Sequence, residues 1–94
     1  MSIEQFPSSY RSQRALRKQV WAECFGMLIA RARERAGRSV EDAARRVGMD
    51  PAHWQAIEAG SVPDWAEVQR VAEGIGVPVA RIVSLVYLCA EAWD

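Results

Sequence analysis

Glycine and proline recur along this chain at short intervals, and that punctuation constrains the fold more than any other feature. Pro7, Gly37, Gly48, Pro51, Gly60, Pro63, Gly76 and Pro78 divide the 94 residues into short segments. Glycine suits the position just past a helix end and proline the first helical position, so the chain reads as a series of helices with abrupt stops. The segments between the breaks carry apolar residues at helical spacing. No stretch shows sustained alternation rich in Val, Ile and Thr, so no strands are expected and the fold class is all-α.

Five helices are expected. The first covers about residues 9–36, capped by Ser8 or Ser9 and ended by Gly37, as one long helix or as two broken near Trp21. Residues 20–29 within it are apolar on more than one face, which suggests a second packing surface. The second helix, about 40–47, has Ser39 and Asp42 at capping-box spacing, and Val40, Ala43, Ala44 and Val47 form a narrow inward face of small residues. Gly48, Met49 and Asp50 then make a tight turn. Asp50 is a good cap and Pro51 a good first residue for the third helix, about 51–59, with Trp54 and Ile57 inward. The fourth, about 65–75, is capped by Asp64 with Glu67 three residues on. The fifth, from Pro78 toward Ala92, is apolar nearly all round and is expected to be buried or shared with a partner.

The chain is long enough for one domain with a modest core. The expected organisation is a basic, partly helical extension at 1–21 and a helical domain at 22–94. Residues 1–19 are polar and lack the apolar run of a signal peptide, and the most apolar stretch is too short to span a bilayer, so a cytoplasmic, non-membrane protein is expected. Cys24 and Cys89 show no metal or redox spacing and read as reduced core thiols. Formal net charge is zero, from twelve basic and twelve acidic residues. The distribution is uneven: residues 1–36 are basic and the remainder is acidic, so the basic end is either an electrostatic footprint or a solvated helix face. One histidine, with no ligand-spaced neighbour, no nucleophile elbow and no phosphate loop, gives no sign of a metal, a cofactor or an enzyme.

Two short helices joined by a glycine-bearing turn describe a helix-turn-helix. The first helix packs across the second through small residues and holds it proud of the body, where its first turn can enter a DNA major groove about 12 Å wide. Phe25-Gly26 with Ile29, Arg33-Glu34 with Gly37, Ser39 with residues 41–44, the Gly48-Met49-Asp50 turn, Ile57-Glu58-Ala59-Gly60 with Pro63, and Ile75-Gly76-Val77 together resemble the phage repressor and Cro-like helix-turn-helix domains, also called the XRE family. The resemblance covers about residues 25–83. It implies a five-helix repressor-like domain, here with an N-terminal helical extension, that binds double-stranded DNA in the major groove, usually as a homodimer. It also implies a structural ion pair between Arg33 and Glu58 that fixes the first helix to the recognition helix.

By the same resemblance, the DNA-facing positions are Arg38, Ser39, Val40, Pro51, Ala52, His53 and Gln55. They depart from the family pattern. Val40 stands where a glutamine often touches phosphate, and Pro51 and Ala52 offer no side-chain hydrogen bond to a base. His53 and Gln55 are the remaining readers; glutamine can take adenine in a bidentate fashion, and alanine can touch a thymine methyl. The loop at Ser61-Val62 is short and uncharged. Further phosphate contacts would come from Arg45 and Arg46 and from Arg11, Arg14, Arg17 and Lys18, and their scarcity near the groove helix predicts weak, salt-sensitive binding. Leu85, Val86, Leu88 and Trp93 on the fifth helix are expected to anchor a dimer, with the extension as a second dimer element or a DNA arm. The alternative is a repurposed domain, a protein-interaction module with weak or no DNA binding.

Overall fold

The structure, a computed structural model, describes the backbone of residues 5–92 and the side chains of residues 16–91. Five helices follow one another: α1 Gln5–Arg35, α2 Val40–Arg46, α3 Pro51–Glu58, α4 Trp65–Ile75 and α5 Val79–Ala92. No strand occurs among the described residues.

The helix starts follow local chemistry. The Ser39 hydroxyl accepts from the Asp42 N–H at 3.1 Å, and the Asp50 carboxylate accepts from the Ala52 N–H at 2.8 Å. At α4 the capping box is complete: Asp64 accepts from the Glu67 N–H at 2.8 Å, and Glu67 accepts from the Asp64 N–H at 3.0 Å. Each such cap satisfies donors the helix itself leaves orphaned. Gly37 and Gly48, at φ 70° and 66°, take the left-handed conformation that closes α1 and opens the turn between α2 and α3.

α1 departs from expectation at its start. It is already helical at Gln5, the first residue described, so Ser8 and Ser9 lie inside the helix and do not cap it. The helix runs unbroken past Trp21 for 31 residues, roughly 46 Å at the standard rise. That length dominates the molecule's 54 × 24 × 18 Å extents.

The core lies under the second half of α1. Cys24, Phe25 and Ile29 meet Ala43 and Ala44 of α2, Trp54 and Ile57 of α3, Val68, Val71 and Ile75 of α4, and Ile82 and Val86 of α5. α1 touches α3, α4 and α5, which accounts for its apolar surplus. The second packing surface is satisfied largely within the monomer, with Val20, Trp21 and Leu28 half-buried against the core. Trp21 and Phe25 stack at a centroid distance of 5.2 Å. Cys24 and Cys89, remote in sequence, meet across α1 and α5 as free thiols with sulfurs 2.8 Å apart.

Candidate nucleic-acid interface

α3 is an eight-residue rod held by two apolar anchors. Trp54 and Ile57 are 0% and 2% exposed, whereas Pro51, Ala52, His53, Gln55 and Ala56 are exposed. The buried alanines of α2, Ala43 and Ala44, supply the small-residue face behind it. Two glycines set the close approach. A Cβ on Gly26 would fall 2.5 Å from the Ile57 carbonyl oxygen, and one on Gly74 would fall 2.7 Å from the Trp54 ring.

A polar strap fixes the rod from beneath. Arg33 donates through Nε and Nη2 to the two Glu58 oxygens at 2.7 and 3.1 Å. Trp54 Nε1 donates to Glu58 Oε2 at 2.6 Å. Arg33 Nη1 donates to the Arg38 carbonyl at 2.8 Å, and Arg38 Nη1 donates to the Gly74 carbonyl at 2.8 Å. The strap therefore runs from α3 through α1 and the α1–α2 loop to α4. The Glu58 hydrogen bond raises the Arg33 pKa above its ordinary value, so the guanidinium keeps its charge. On the other flank, Gln19 Nε2 donates to the Gly60 carbonyl at 3.2 Å and so ties α1 to the end of α3.

The sequence-derived positions separate on this frame. Pro51, Ala52, His53 and Gln55 share the open side of α3. Ser39 is exposed but its hydroxyl is occupied as a cap. Two positions are partly taken up by the fold. Val40 packs half-buried against the core, which leaves only part of its side chain open to solvent. Arg38 is braced to Gly74 and half-buried, so its guanidinium first serves the fold. His53 is paired through Nε2 with Glu67 Oε2 of α4. The Asp64 N–H, and then His53, hold the Glu67 carboxyl below its usual range. Arg45 and Arg46 are exposed at the end of α2, Arg45 only loosely facing Asp42 at 3.8 Å. Arg17 and Lys18 are exposed on α1, whereas the side chains of Arg11 and Arg14 lie outside the described residues.

On α5, Leu85 and Leu88 are 44% and 64% exposed. Val86 is fully buried in the monomer core, which removes it from any dimer face. Trp93 lies outside the described residues. Sequence reasoning missed Gln19, Gly74 and the indole of Trp54 as parts of the frame; the first two carry no local signal, and the third read only as an apolar anchor.

No group of His, Cys, Asp and Glu able to hold a metal occurs among the described residues. No single helix among them is long and apolar enough to cross a membrane.

A capped helix with small inward residues, a glycine turn, and a second helix presented outward define a helix-turn-helix protein. The chain belongs to the helix-turn-helix domain family, whose model matches residues 25–85, well over half its length. The match is consistent with the repressor-like resemblance and brings with it nucleic-acid binding in general. No curated protein and no solved structure matches the chain.

Proposed function

We propose that the protein is a DNA-binding transcriptional regulator of the cell interior that presents α3 to the major groove and acts as a homodimer. The observation that carries the reading is the two-sidedness of α3: Trp54 and Ile57 are locked into the core while the opposite face, with Gln55, is bare. Gln55 is the base reader. His53 joins it only by leaving Glu67, whose carboxylate would otherwise lie close to the DNA. Arg45 and Arg46 supply phosphate contacts from α2. The exposed Leu88 of α5 supplies the dimer contact.

The test is a fluorescence-anisotropy titration with random and selected duplexes at two salt concentrations. Binding that weakens steeply with salt, and loses about 1–3 kcal/mol of sequence preference in Gln55→Ala, supports the reading. Absence of binding at low salt refutes it. Sedimentation of Leu88→Asp tests the dimer, since an unchanged mass removes that contact.

A second reading, a protein-interaction module of the same fold, is favoured by one local observation. Val62 and Trp65, 48% and 57% exposed, follow α3 where a DNA-binding loop would carry cations. A double Val62→Ser, Trp65→Ser variant that binds duplex as well as the wild type would leave that patch to a protein partner.

A further inference from the structure

Between the end of α1 and the start of α5 lies a groove of about 400 Å³, open along one side, whose lining includes no residue of α3. Leu28, Val77 and Leu85 contribute to its apolar floor, and Arg31, Arg35 and Arg81 stand around it. All three arginines are exposed. Among the described residues the ion pairs are Arg33–Glu58, Arg45–Asp42 and His53–Glu67, so the arginines at the groove have no carboxylate partner.

Helix electrostatics accounts for only part of this arrangement. Arg35 lies in the last turn of α1, where a cation is favoured. Arg81 lies in the first turn of α5, where a cation opposes the helix dipole, and that turn holds no acidic residue to offset it. At Arg81, at least, the charge is placed at the groove against local preference.

We propose that this groove docks an acidic amphipathic helix of a partner protein, its apolar side on Leu28, Val77 and Leu85 and its carboxylates on Arg31, Arg35 and Arg81. Cations on both walls, with Arg31 and Arg35 roughly 6 Å apart along α1, suit several carboxylates on one chain better than a single ligand carboxylate. A nucleic-acid backbone would meet the arginines but leave the floor uncovered. A two-fold copy of this chain would bring the same cationic patch against itself. The inference is independent of whether α3 reads DNA.

The experiment is selection from a random peptide library displayed on phage against the full chain, run in parallel on the triple variant Arg31→Gln, Arg35→Gln, Arg81→Gln. Circular dichroism confirms that the variant is folded. The expected result is enrichment, on wild type only, of peptides with carboxylates interleaved with Leu, Ile or Phe at helical spacing. A synthetic winner should bind about tenfold more weakly to the triple variant, as several rim pairs together imply. It should also bind more weakly to Leu85→Ser, with the triple variant's affinity for random duplex unchanged. No enrichment, winners without carboxylates, or binding that survives the triple variant overturns the proposal. So does a triple variant that loses duplex binding or changes oligomeric mass, which would assign the rim to DNA or to a second copy.

Discussion

Glu58 is the residue on which the interface most depends, because it receives Arg33 and Trp54 at once. Removing it leaves a guanidinium 14% exposed without its counter-charge and an indole N–H without an acceptor. Glu58→Ala is expected to cost about 3–5 kcal/mol in urea unfolding, a large share of a small domain's stability. Pairing it with Arg33→Met should recover part of that loss, since the uncompensated charge goes too, and a double-mutant cycle measures the coupling. Cys24 makes a second residue-scale prediction. Burial, reinforced by Cys89, pushes its thiol up from 9.0 to about 11. A raised pKa means the folded state resists forming the thiolate that the unfolded chain forms freely. Its contribution to stability is therefore complete below about pH 9 and is lost as pH rises toward 11. The difference in Tm between wild type and Cys24→Ala should be flat below that window and should shift against the wild type within it. The Arg33–Glu58 pair was legible in the sequence through the resemblance. The Arg38–Gly74 bond was not, because a hydrogen bond across 36 residues leaves no local pattern.

Elements were legible wherever a cap or a stop marks them. Ser39, Asp50 and Asp64 start α2, α3 and α4 at the residues their side chains dictate. α1 is already helical at Gln5, so the expected cap at Ser8 or Ser9 placed its start too late. The apolar surplus of α1 was visible, but its cause was not: periodicity shows that a second face is buried, not that α5 covers it. Gly26 shows the same limit, since a glycine in a helical run signals a close approach without naming the neighbour. An alanine in an unencumbered helix position gains about 1 kcal/mol over glycine. Here its Cβ would meet the carbonyl oxygens of Ile57 and Glu58 at 2.5 and 2.6 Å, backbone atoms that no rotamer change can move. Overpacking of this kind costs about 1–3 kcal/mol, so Gly26→Ala should lower Tm despite the propensity gain. Because the displaced element is α3 itself, the same variant should weaken duplex binding while the groove at Arg31, Arg35 and Arg81 still takes its peptide.

At the scale of the molecule, zero net charge and an exposed groove helix pull in opposite directions, and salt dependence measures which prevails. The logarithm of a DNA-binding constant falls with the logarithm of salt at about 0.9 per phosphate neutralised. Arg45 and Arg46 are the exposed cations of α2, with Arg17 and Lys18 more distant on α1, whereas Arg38 is committed to Gly74. A protomer that uses Arg45 and Arg46 alone should show a slope near 2, and a dimer that engages both copies should show about twice that. Arg45→Gln and Arg46→Gln should each lower the slope by about 1 per protomer, without changing which duplex is preferred. If Arg17→Gln and Lys18→Gln lower it instead, α1 is the arm that holds the backbone, and the exposed face of α3 contributes selectivity rather than affinity. Duplex binding with no salt slope at all, or none to measure, would mean that whatever α3 meets is not a phosphate backbone, and the exposed Val62 and Trp65 beside it would then define the face of a protein partner.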